Sequence, residues 1–129
     1  MLVLEHRYYG MSHPFEDLSV DNLKYLTVDN ALDDIALFLS YINDDLVERY
    51  GGSKRKIFTI GGSYPGALSA WMRSKYPHIV DGALASSGVV DAVYDYSLFD
   101  GQVFESMALS KNGCEDVVSK VTAFMDALI

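Results

Sequence analysis

The residue best placed to do chemistry is Ser63. It sits in Gly61-Gly62-Ser63-Tyr64-Pro65-Gly66, directly after the run Lys56-Ile57-Phe58-Thr59-Ile60 and before a helical pattern. A serine on a sharp turn between a strand and a helix has its hydroxyl lifted above the sheet edge, the arrangement of a nucleophile elbow. Such a turn leaves no room for large side chains, so the positions two before and two or three after the serine must be small. The geometry also aims the backbone N–H of the next residue, Tyr64, at a substrate carbonyl oxygen. An N–H at a helix start suits a developing oxyanion, and one such donor contributes ~3–4 kcal/mol to a transition state. The short pattern Gly-x-Ser-x-Gly is not matched in full: Pro65 takes the second glycine's place, and Gly66 follows one residue later. Proline is tolerated at the first helical position, although it is expected to push Tyr64 away from helical angles. Two other readings stay open on the motif alone, a glycine-rich turn with no chemistry and a phosphate-binding turn.

A hydroxyl is a poor nucleophile until a base takes its proton, and the base needs a carboxylate to orient it. His6 and His13 precede Ser63, and His78 follows near the far end of the helix leaving the turn. A helix of about eleven residues is ~16 Å long, so His78 is expected to point away from the serine. One cysteine and three histidines provide no zinc-ligand spacing, and neither a metal nor another cofactor is expected.

The elements around the serine read as an α/β pattern. Leu2-Val3-Leu4 resembles the end of a short buried strand, and residues 11–27 are turn-rich with Pro14 near their start. Thr27 or Asp29 is placed to cap a long helix, whose apolar stripe is Leu32, Ile35, Leu39, Ile42 and Leu46. The acids of that helix, among them Asp33, Asp34, Asp44, Asp45 and Glu48, are most simply a solvated face, and Gly51-Gly52 ends it. Lys56–Ile60 is the second strand, Pro65–Lys75 the next helix, stopped by Pro77, and Ile79–Ala85 the third strand. The tail from Ala92 is less regular until an amphipathic helix near Glu115–Leu128, with Val117, Val118, Val121, Phe124, Met125 and Leu128 on one side. Strands alternating with helices predict a parallel sheet.

Composition bounds the rest. The chain has 129 residues, of which 50% are hydrophobic and 22% charged, a globular balance with enough length for a core. The net charge is −8, from 18 acidic and 10 basic residues, which argues against a nucleic-acid partner. No stretch approaches the ~20 apolar residues of a membrane span, and the apolar opening is shorter than the ~7–15 residues of a signal-peptide core. Charge is uneven: residues 1–50 hold ten acids and three bases, residues 51–82 one acid and five bases, residues 83–129 seven acids and two bases.

Glu5-His6-Arg7-Tyr8-Tyr9-Gly10, with Ser12 and Pro14 following, resembles a signature of the prolyl carboxypeptidase and dipeptidyl peptidase II family of serine peptidases. Asn22-Leu23, Tyr25-Leu26-Thr27 and Ala31-Leu32 resemble its next block, and Gly61 through Trp71 resembles its nucleophile block. Lys75-Tyr76-Pro77-His78 and Gly82 through Ser87 resemble the strand that follows. The likeness runs in order through residues 1–90 and is loose from Ala92 to Cys114.

This resemblance implies a partial α/β-hydrolase fold over residues 1–91 and the beginning of a helical cap over 92–129. It implies a serine exopeptidase acting on proline-containing peptides, with Ser63 as nucleophile and the Tyr64 N–H in the oxyanion hole. Tyr8 and Tyr9 line the substrate site in that reading, or else pack under the first loop; Arg7 pairs with an acid. The family's Asp and His lie beyond the cap, so the 129 residues alone are expected to be an inactive fragment. A gap in the sheet is expected between residues 1–5 and 56–60, where a preceding strand of the fold belongs. Cys114 falls where cap cysteines form disulfides, and a lone buried thiol is the alternative. A lysosomal, vacuolar or secretory compartment is implied. Another hydrolase of the same fold, such as an esterase or lipase, and a non-catalytic binding module are the competing functions.

Overall fold

The computed structural model describes all residues, 1–129. They form two compact units, Met1–Asp91 and Ala92–Ile129. The first contains helices α1 (Val20–Leu23), α2 (Val28–Tyr50) and α3 (Tyr64–Lys75) and strands β1 (Phe58–Gly62) and β2 (Gly82–Ser86). The second contains helices α4 (Ser97–Ala108) and α5 (Cys114–Asp126).

Local signals set most of the boundaries in the first unit. Thr27 is the cap of α2: its hydroxyl accepts the Asn30 N–H at 3.2 Å. Gly51 ends that helix, donating its N–H to the Val47 carbonyl at 2.8 Å. The chain then turns back under Asn43, a buried polar residue whose amide takes the Arg55 N–H at 2.7 Å and donates to the Arg55 carbonyl at 2.9 Å. Both backbone groups of Arg55 are thereby satisfied, which fixes the exposed turn to the buried Asn43.

β1 and β2 form a two-stranded parallel sheet in the register Phe58↔Gly82 to Gly62↔Ser86, joined through α3. Asp81 fastens the start of the pair: its carboxylate accepts the Ile57 N–H at 2.9 Å and the Lys56 ammonium at 2.6 Å. These two bonds, the lysine's first, hold its carboxyl below the usual carboxylate range. α3 packs on both strands and against α2. Leu32, Ala36, Leu68, Met72 and Val80 make the buried core, with Met72 and Val80 fully enclosed.

Several expectations need correction. Leu2-Val3-Leu4 is not a strand; these residues lie exposed with no ladder, because β1 pairs only with β2. An apolar cleft of about 890 Å³ separates them from β1. Ile35, Leu39, Ile42 and Leu46 line it, which is why the α2 stripe is only half-buried beyond Leu32. Each strand begins later than expected, at Phe58 and Gly82, since pairing rather than apolar content sets the ladder. The acids of α2 are not a purely solvated face. Asp29 meets Lys75 at 2.8 Å, Asp33 accepts from the Tyr76 hydroxyl, and Asp34 takes Arg7. In the second unit, α4 occupies a stretch expected to be irregular, and Cys114 is a free, exposed thiol rather than a buried one.

Candidate functional site

Ser63 is the residue between β1 and α3, with φ 57° and ψ −125°. Positive φ is uncommon for a residue with a Cβ, and it persists only where the surroundings enforce it. Here the Ser63 N–H donates to the Ser86 carbonyl at 3.0 Å, and the Ser63 carbonyl accepts the Ala67 N–H at 3.0 Å. The turn is thus tied to the end of β2 on one side and to the first turn of α3 on the other.

The demand for small neighbours is visible in the contacts. A Cβ on Gly61 would lie 2.2 Å from the Pro65 carbonyl oxygen, and one on Gly66 would lie 2.9 Å from that of Ser86. Glycine at these two positions allows the strand, the helix and the end of β2 to converge beneath Ser63. Pro65 falls in the first positions of α3, where a missing N–H costs nothing. It does not push Tyr64 out of the helix: α3 begins at Tyr64, bounded by the Ser63-to-Ala67 bond. The Tyr64 N–H therefore belongs to the first turn, whose donors lack intrahelical partners.

Ser63 itself is exposed at the head of this turn, and Tyr64 is 37% exposed. The Tyr64 hydroxyl lies 3.0 Å from His6 Nε2, and burial, followed by the nearby Tyr9, raises its pKa above the ordinary tyrosine range. Tyr9 is 60% exposed and stands edge-on to His6, with ring centroids 5.4 Å apart. Tyr8 is placed differently. It is buried at φ 69°, and its hydroxyl donates to the Asn22 carbonyl, so it packs under the first loop. Arg7 pairs with an acid as expected: it grips Asp34 through two bonds of 2.6 and 2.7 Å and donates to the Tyr25 carbonyl at 2.9 Å.

The other histidines are elsewhere. His78 is exposed and packs against Tyr76, past the far end of α3. His13 is exposed beside Phe15 and Tyr25, which stack with centroids 5.9 Å apart. His6 is the residue that sequence reasoning misses: the sequence offers it only as a base preceding the serine. No spacing rule links it to Tyr64, 58 positions away; only its place in the Glu5–Gly10 block marked it. No group of three or more His, Cys, Asp or Glu side chains converges as a metal site would require.

Comparison with known proteins accords with this geometry. The family model described as serine carboxypeptidase S28 matches residues 1–129. The chain is 51% identical over 107 residues to the "Probable serine protease EDA2" of Arabidopsis thaliana, covering 80% of the chain and 22% of that protein. It is 45% identical over 94 residues to the human "Lysosomal Pro-X carboxypeptidase", covering 70% of the chain and 18% of that protein. Against the "Probable extracellular serine carboxypeptidase" of Arthroderma benhamiae it is 38% identical over 129 residues, 97% of the chain and 17% of that protein. The chain spans about a fifth of the length of the curated relatives it matches. A strained serine turn between parallel strands, glycines where a Cβ would collide, and a family match from end to end agree: the chain belongs to the serine carboxypeptidase S28 family.

Proposed function

We propose that Ser63 is the nucleophile of a serine-type exopeptidase that acts on proline-containing peptides. The observation that carries this reading is the positive φ of Ser63 in a turn whose glycines cannot accept a Cβ. Ser63 Oγ attacks the scissile carbonyl carbon as its proton passes to a base. The oxygen that gains the electron pair is met by the Tyr64 N–H. The tetrahedral species collapses to an ester on Ser63, the amine leaves with the proton, and water then hydrolyses the ester. Tyr9, exposed beside the turn, lies where substrate would pass; Tyr8 is occupied in packing.

The base and its carboxylate come from outside these 129 residues: His6 is engaged with Tyr64, His13 lies exposed beside Phe15 and Tyr25, and His78 lies past the far end of α3. The apolar cleft between residues 1–5 and β1 is the seat of a further strand of an α/β-hydrolase sheet, and residues 92–129 begin a helical cap. The compartment is lysosomal or extracellular, by analogy with the named relatives.

The test is turnover of a proline-containing peptide by the protein as its cell makes it. Ser63→Ala is expected to lower kcat by several orders of magnitude and to abolish labelling by an active-site phosphonate. The isolated 129-residue chain is expected to be inert. Undiminished turnover by Ser63→Ala sinks the nucleophile assignment. Turnover of short acyl esters with none of the peptide replaces peptidase by esterase, and turnover by the 129-residue chain overturns its incompleteness.

A further inference from the structure

His6 is held more firmly than a surface histidine needs to be. Its Nδ1 is 2.8 Å from the Arg7 carbonyl oxygen and its Nε2 is 3.0 Å from the Tyr64 hydroxyl. A carbonyl can only accept, so Nδ1 carries the proton; in the neutral ring Nε2 is then the acceptor and Tyr64 O–H the donor. The loop that carries His6 is anchored on both sides of it. On one side the Glu5 carboxylate accepts the Met11 N–H at 3.0 Å and the Ser12 hydroxyl at 2.7 Å. Gly10, at φ 54°, makes room for that carboxylate, since a Cβ there would lie 1.7 Å from Glu5 Oε1. On the other side Arg7 is gripped by Asp34 of α2. The imidazole between these anchors is therefore presented to Tyr64 in a fixed position.

Tyr64 is a residue that needs such a support. Ser63 before it adopts a positive φ, and Pro65 after it disfavours the α region at residue 64, yet Tyr64 opens α3. The direction of its N–H depends on the torsions on either side of the 63–64 peptide. The turn's own bonds hold Ser63, and the Tyr64 hydroxyl is where His6 of the first loop reaches residue 64.

We propose that His6 is a positioning residue of the nucleophile turn: by holding the Tyr64 hydroxyl, it fixes the residue whose backbone N–H faces the oxyanion. This rests on Ser63 acting as the nucleophile. His6 takes no proton from Ser63 and touches no substrate atom; it acts through Tyr64 alone.

The experiment is a mutant cycle in the protein as its cell makes it, read as kcat and KM on a proline-containing peptide and as the rate of Ser63 labelling by a phosphonate. Parent and Ser63→Ala are measured first. His6→Ala is expected to lower kcat by about 10- to 100-fold, less than the ~10²–10³ of losing an oxyanion donor outright, with KM changed by under about 3-fold. Tyr64→Phe, which keeps the ring and loses the hydroxyl, is expected to match it, and the double variant to lose no more than either single one. His6→Gln is expected to recover most of the rate, and His78→Ala to behave as the parent. Additive losses in the double variant, a loss confined to KM, or an unchanged kcat in His6→Ala overturns the role of His6 while leaving Ser63 in place. A parent inert to both peptide and probe instead overturns the peptidase reading, and the role of His6 with it.

Discussion

Helices α3 and α5 are nearly equal in length, 12 and 13 residues, and opposite in how sequence pattern relates to burial. α5 has the cleaner apolar stripe, yet none of its residues is buried, and Val121, Phe124 and Met125 are 52%, 65% and 57% exposed. α3 has the weaker stripe and buries Gly66, Ala67, Leu68, Ser69 and Met72. A stripe measures how strongly a face prefers an apolar neighbour; it does not supply the neighbour. α3 follows a turn so tight that Gly66 has no room for a Cβ, and small residues such as Gly66, Ala67 and Ser69 dilute the pattern while bringing the helix close to β1 and β2. The helix that positions the candidate site is thus the less amphipathic of the two.

This contrast can be broken by measurement. The largest effect is expected from Met72→Ala in α3, which empties a fully enclosed position and should lower unfolding stability by ~2–5 kcal/mol in urea titration. Gly61→Ala should follow at ~1–3 kcal/mol, because the new Cβ meets backbone of α3 that has nowhere to go. Its effect on Ser63 labelling should exceed its effect on stability, since the collision moves the turn itself. A pH titration sharpens the comparison further. The Asp81 carboxyl is held below its ordinary value in the folded state, so its contribution is present above the unfolded pKa of ~3.9 and is lost as pH falls through the lower folded value. Asp81→Asn should flatten that acid limb of a melting-temperature profile. The smallest effect is expected from Phe124→Ala in α5, under ~0.5 kcal/mol, as for other exposed sites. A loss comparable to that of Met72→Ala would show that α5 is covered after all.

Much of the candidate site was legible in the sequence because the signals act over a few residues. Gly61, Ser63 and Gly66 announced a strained turn, and Thr27, Gly51 and Pro77 marked helix ends, each through a cap, a left-handed angle or a missing N–H. Tyr8 and Tyr9 could not be separated in this way. Adjacent and identical in type, they differ in that one hydroxyl reaches the Asn22 carbonyl while the other ring stays beside His6. The α2 acids were equally ambiguous, since nothing in Asp33 or Asp34 tells which of them meets Tyr76 or Arg7.

The sequence by itself determined the order of strand, serine turn and helix, the identity of the exposed nucleophile candidate, and the family. The first two follow from backbone sterics and hydrogen bonds within about one helical turn, and the family from the ordered residue blocks that run through residues 1–90. Only the tertiary structure decided that His6 meets Tyr64. It also decided that Arg7 locks the first loop to α2 and that the cleaner amphipathic helix stays bare. Those outcomes depend on partners 27 to 58 positions away, and a side chain's type carries no record of which distant group will be folded against it.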